Sequence, residues 1–166
     1  MRRTRFDDAE CPIARTTDLM GDWWTPIVMR EAFLGRRRFD EFQKALSLSR
    51  GVLSKRLSTL VDAGLLRKRL YEERPPRYEY VLTEKGRAFY PVLAAMWRFG
   101  EDWLWEGDEA TRLQLYDRDS GERVRPRVVD ERTGEPIDVR RIRLGRRPRS
   151  APRSGEAGSD GRGDRG

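Results

Sequence analysis

The chain has 166 residues and carries 35 Lys+Arg against 28 Asp+Glu, a formal net charge of +7; residues 140–153 hold seven Arg and no acid, so the remainder sums to zero. With no His and a single Cys (Cys11), His-based triads and zinc sites, internal disulfides and Cys-rich metal centres are excluded. No apolar run approaches the roughly 20 residues of a membrane helix and no apolar leader follows Met1, so a cytoplasmic protein without metal or other cofactor is expected.

In chain order, Cys11-Pro-Ile-Ala-Arg-Thr-Thr-Asp-Leu-Met reads as a short helix stopped near Gly21. A second helix follows, with Thr25 as N-cap, Pro26 at its first position and Gly35 as C-cap. Ile27, Met29 or Arg30, and Leu34 set its inward stripe. A third helix starts at Arg36, where Phe39, Phe42 and Leu46 recur on one face. Ser49 caps a longer helix from Arg50 to about Ala63. Its Leu53, Leu57, Leu60 and Val61 face the core, while Gly51, Ser54, Lys55 and Ser58 form a small polar face opposite.

After Gly64 the pattern changes to strands over 65–71 and 77–82, joined by the turn-forming spacer Glu72-Glu-Arg-Pro-Pro. Thr83 caps a last helix that runs, kinked at Pro91, to about Trp105. Residues 107–144 hold short Val/Ile/Leu pairs around two related turns, Asp119-Ser-Gly-Glu and Arg132-Thr-Gly-Glu-Pro, and read as a small β-hairpin appendage. Val, Ile, Leu, Met and aromatic residues stop at Leu144, and half of residues 145–166 are Gly, Pro or Ser. That basic tail cannot bury enough surface to offset its ordering entropy and is expected to be disordered. Three parts result: a domain over 10–106, the appendage over 107–144 and the tail over 145–166.

Helices followed by a basic hairpin and another helix are the order of a winged helix-turn-helix, mostly α with a small β wing. A helix enters the DNA major groove when its exposed face is slim and offers hydrogen-bond donors. Residues 50–77 hold eight basic groups against three acids, with Arg67, Lys68, Arg69, Arg74 and Arg77 on or beside the hairpin. Arg36, Arg37 and Arg38 sit at a helix N-terminus, where free backbone N–H groups also favour phosphate. The candidate contacts with double-stranded DNA are therefore Arg36, Arg37, Arg38, Ser49, Arg50, Ser54, Lys55, Arg56, Arg74 and Arg77, with base readout falling to Arg50, Ser54 and Lys55. A winged helix used only for protein–protein contact is the alternative. An enzyme has little support without His, metal ligands or a Gly-rich phosphate loop.

Seven segments, Cys11-Pro-Ile-Ala-Arg-Thr, Trp24-Thr, Leu34-Gly-Arg-Arg-Arg-Phe-Asp-Glu-Phe, Val52-Leu-Ser-Lys-Arg-Leu, Ala63-Gly-Leu-Leu, Pro75-Pro-Arg-Tyr-Glu-Tyr and Leu82-Thr-Glu-Lys-Gly, resemble in order and spacing the HxlR-type family. These are dimeric winged helix-turn-helix transcriptional regulators related to the MarR group, and the resemblance spans roughly residues 10–105. It implies that the helix after Ser49 is the recognition helix and 71–77 the wing. It also implies a homodimer formed by the N-terminal helix and the helix after Gly86, where Phe89, Tyr90, Trp97, Phe99, Trp103 and Trp105 lie; cover of these rings by the 107–144 appendage is the alternative.

Two such domains would read an inverted repeat, with repression, under an unknown small-molecule or redox effector, as the expected outcome. Some members of the family sense oxidants at an N-terminal cysteine, which makes Cys11 a candidate sensor, and packing alone is the other reading. Some relatives carry a zinc-ribbon-like C-terminal segment. Here Ser120, Asp130 and Thr133 stand at the knuckle positions, so no metal is expected.

Overall fold

In the computed structural model, residues 9–106, 113–143 and 145 are described. The chain divides into two units, residues 1–128 and 129–166. The expected disordered tail falls, apart from Gly145, outside the described residues.

Helix α1 (Pro12–Met20) begins with Pro12, whose missing N–H costs nothing in a first turn, and stops at Gly21, which takes φ 69°. Helix α2 (Trp24–Phe33) is capped by Asp22, not by the expected Thr25: Asp22 Oδ1 accepts the N–H groups of Trp24 and Thr25 at 2.9 and 3.2 Å. Because the helix starts earlier, Thr25 lies inside it and is buried. The inward stripe shifts with it to Val28, Met29 and Ala32, leaving Leu34 past the helix end and exposed.

Helix α3 (Phe39–Leu46) starts three residues later than expected. Arg36 to Arg38 are extended instead, because the Arg37 carbonyl accepts the Tyr80 N–H at 2.7 Å and Arg38 bridges Glu79. Glu41 reaches back to accept the N–H groups of Arg37 and Arg38 at 2.8 and 2.9 Å. Those bonds, that of Arg38 first, hold its carboxyl below the ordinary 4.5.

Helix α4 (Arg50–Asp62) follows the sequence reading. Ser49 caps it by accepting the Val52 N–H, and Leu53, Leu57 and Leu60 are buried. Strands β1 (Leu66–Glu73) and β2 (Pro76–Leu82) pair antiparallel from Leu66↔Leu82 to Glu73↔Pro76, with an irregularity between Leu70 and Glu72. The expected five-residue spacer shrinks to Arg74-Pro75. Pro76 is tolerated in the ladder because it opens an edge strand, where no N–H is needed.

Thr83 caps α5 (Glu84–Ala88) through the Gly86 N–H at 2.9 Å. A break at Phe89 then separates α5 from α6 (Tyr90–Trp103), since Pro91 has no N–H to continue the ladder. The expected kinked helix is thus two helices. The core joins Val28, Met29 and Ala32 to Phe42, Leu53, Leu57, Leu60, Leu65, Leu66 and Phe89.

The appendage contains isolated bridges in place of extended strands among its described residues. Tyr116 bridges Arg123 around a turn in which Asp117 Oδ1 accepts the N–H groups of Asp119 and Ser120 at 3.1 and 2.8 Å. Within the second unit, Val129 bridges Pro136 around the equivalent turn, where Asp130 Oδ1 accepts from Arg132 and Thr133 at 2.8 and 3.3 Å. A 3-10 turn, Val139–Arg141, follows.

Candidate nucleic-acid interface

The outer face of α4 is built by the spacing that buries Leu53, Leu57 and Leu60. With those three inward, Gly51, Ser54, Lys55 and Ser58 are exposed. Their short side chains keep the helix slim, and Lys55 supplies a cation on the same face. Ser49 is exposed at the helix start with its hydroxyl oxygen committed to the cap. Arg50 is exposed, its guanidinium 5.1 Å from the centre of the Phe39 ring, which restrains the arginine without consuming its N–H groups.

Two predicted contacts are turned elsewhere. Arg56 is half-buried and ion-paired to Asp22, so it ties α4 to the α1–α2 turn. Arg36 pairs with the buried Glu31 at 2.9 Å. Arg37 is exposed, and the exposed Arg38 lies 4.7 Å from the Tyr71 ring centre. Both are held beside the wing by the backbone links of this segment to Glu79 and Tyr80.

On the wing, Arg74 is exposed at the turn, and Arg77 meets Glu72 at 3.4 Å with both side chains largely in water. Such a pair is worth about 0–1 kcal/mol and is readily exchanged for a phosphate. Arg67 and Lys68 are exposed on β1, whereas Arg69 is bound to the mostly buried Glu79. The structure therefore brings Arg37, Arg38, Arg74 and Arg77 to the wing and α3 start, and Arg50, Ser54 and Lys55 to α4.

The aromatic residues of the last helix separate by face. Phe89, 5% exposed, belongs to the core, so its ring is covered within the chain rather than at a dimer contact. Tyr90 packs edge-on against Phe33 at 5.1 Å, and Trp97 is half-buried against Leu113 in two cavities. Met96, Phe99 and Trp103, spaced three and four residues apart, remain exposed on another face, Trp103 at 76%. Ile13 and Trp23 are also exposed. Sequence reading missed Met96, Ile13 and Trp23, because helical spacing alone does not say which of two apolar faces is covered.

Residues 113–128 are tied to α6 by ion pairs. Arg123 meets Glu101 at 2.6 Å and Arg125 meets Asp102 at 3.5 Å. Cys11 is exposed just before α1, and Arg15 Nε donates to the Ala9 carbonyl at 2.6 Å. Among the described residues, no cluster of His, Cys, Asp or Glu is placed to hold a metal ion, and no helix is long and apolar enough to cross a membrane.

Comparison with known proteins matches residues 19–108 to the HxlR-like helix-turn-helix family. An uncharacterized HTH-type transcriptional regulator of Mycobacterium tuberculosis is 35% identical over 130 residues, 78% of this chain and 82% of its own. The crystal structure of PA1607, a candidate transcription factor, is similar with a TM-score of 0.78 at 39% identity, over 87% of this chain and 100% of its own. The redox regulator HypR in its reduced form is similar with a TM-score of 0.51 at 33% identity, over 55% of this chain and 91% of its own. The likeness to PA1607 thus extends past residue 106 into the C-terminal segment.

Proposed function

Because the chain belongs to the HxlR-like helix-turn-helix family, whose members are transcription regulators and not enzymes, we propose that it is a homodimeric, sequence-specific DNA-binding repressor. The observation that carries this reading is the exposed Gly51, Ser54, Lys55 and Ser58 face of α4, flanked by cations at the α3 start and on the wing. In this reading α4 enters the major groove, and Arg50, Ser54 and Lys55 meet base edges. Arg37, Arg38, Arg74 and Arg77 take phosphates and set the register. Arg36 and Arg56 support these elements from their ion pairs with Glu31 and Asp22.

The dimer forms through the Met96, Phe99 and Trp103 face of α6 together with α1. Buried aromatic residues are what the centre of an interface requires. A two-fold dimer reads an inverted repeat whose half-sites lie about one DNA turn apart, on the order of 34 Å. Cys11, exposed at the start of α1, is the candidate for redox control of that dimer.

The test is selection of duplexes from a random pool by the purified full chain, followed by anisotropy titration at several salt concentrations. A dimer making about six to ten phosphate contacts loses on the order of 10³–10⁵ in affinity between 50 and 200 mM salt. Failure to bind any duplex at low salt would overturn the reading.

A further inference from the structure

We propose that the cavity between α2, α6 and the segment from Leu113 to Leu115 binds a small molecule with an apolar body and one anionic group. Its volume, about 540 Å³, falls in the range of about 300–1,000 Å³ typical of small-molecule sites. Phe33, Leu93, Trp97, Leu113 and Leu115 supply apolar walls. The polar end holds Arg30, Glu31 and Arg36.

The chemistry of that end selects the ligand's charge. The Glu31 side chain is only 4% exposed; its Oε1 accepts from Arg30 Nε at 2.9 Å. Its Oε2 stands 2.9 Å from an Arg36 nitrogen yet accepts no hydrogen bond. Glu31 therefore holds Arg36 in place through an ion pair at one guanidinium nitrogen. One carboxylate between two guanidinium groups leaves a net positive charge beside an apolar wall, where an anion gains more than it would in water. A carboxylate is a planar group that a guanidinium fork fits. A cation would be repelled, and a neutral molecule would leave that charge unmatched.

The outer wall, Leu113 to Leu115, lies beyond the residues 19–108 matched to the family, so the C-terminal extension closes a site whose other walls come from the helix-turn-helix domain. Ion pairs from Arg123 and Arg125 to α6 hold that extension in place. As a ligand site the cavity stands by itself; as a regulatory site it rests on the DNA-binding reading.

Titration calorimetry of the full chain with 2-naphthoate, and with 2-naphthalenemethanol as a neutral counterpart, tests the proposal. One naphthoate per chain is expected, with the alcohol weaker by at least about tenfold. Arg30→Gln removes the surplus charge and should weaken naphthoate by a similar factor. Ala94→Phe fills the cavity without touching the charges and should abolish binding, which keeps the proposal testable if a thermal melt shows Arg30→Gln to be unfolded. Equal affinity for acid and alcohol, or undiminished binding to Ala94→Phe, would overturn it. Duplex binding is measured on the same ligand-free samples. Duplex binding without naphthoate binding removes this site alone, and naphthoate binding without duplex binding removes the DNA reading alone.

Discussion

Replacing Gly86 with alanine puts a methyl group where the chain's own backbone already stands. The added Cβ would lie 2.0 Å from the Leu65 carbonyl oxygen and 3.1 Å from its carbon, about 1.4 Å short of ordinary contact at 3.4 Å. A side chain could turn aside, but this obstacle is backbone, and it is fixed: Leu65 O accepts the Thr83 N–H at 3.1 Å. Relief requires α5 to lift away from the start of β1, which strains that bond. Overpacking costs about 1–3 kcal/mol and a weakened hydrogen bond about 0.5–1.5, against a helix-propensity gain near 1 for Gly→Ala. The expected net loss is about 1–3 kcal/mol.

Gly51 provides the control, since it is also helical, exposed, and nothing lies within 4 Å of its added Cβ. There the same substitution should stabilise by about 0.4–1 kcal/mol. Urea denaturation at one fixed protein concentration, with the slope checked for constancy, separates the two. A Gly86→Ala protein as stable as the wild type would refute the close packing of α5 on Leu65.

Further outcomes follow from the interface and its supports. Arg37→Ala should weaken DNA binding and reduce the salt slope by about one, whereas Arg56→Ala should lower the urea midpoint and leave the slope in place. The folded Glu41 carboxyl lies below its ordinary 4.5, so its contribution is complete above that pH and is lost as pH falls through the lowered value. Glu41→Gln should accordingly lower stability at neutral pH and flatten the acid limb of the stability curve. Trp103→Ala paired with Phe99→Ser should shift sedimentation from dimer to monomer. If Cys11 is the oxidant sensor, Cys11→Ser keeps binding DNA after oxidant treatment; release unchanged by the substitution excludes it.

The elements that could be read from sequence are those fixed by neighbours. Ser49 before Leu53, Leu57 and Leu60 defines α4 locally, by cap and spacing, and the alternation after Gly64 does the same for the wing. What could not be read depends on partners far along the chain. Arg36 to Arg38 are good helix formers, and only the pairing with Glu79 and Tyr80, some forty residues on, pulls them into extended form. Lys55 and Arg56 are alike in chemistry, yet one helical step turns Arg56 toward Asp22. Phe89 and Trp103 look equivalent as aromatic residues of one helical stretch. The break at Phe89 sends the first into the core and leaves the second in water.

The link from Arg37 and Arg38 to β2 has a mechanical consequence. The cations before α3 and those on the wing are fastened to one piece of backbone, so the hairpin is no independent flap that could fold down on DNA by itself. The body of the hairpin and the α3 entrance form one connected reading head, with α4 packed on the same core by Leu53 and Leu57. The joint between this head and α6 lies downstream, at the helix break around Phe89, where Pro91 removes a rung from the helix ladder. In the proposed dimer, swinging whole heads about that joint would change the distance between them while leaving the surface each presents to its half-site unaltered.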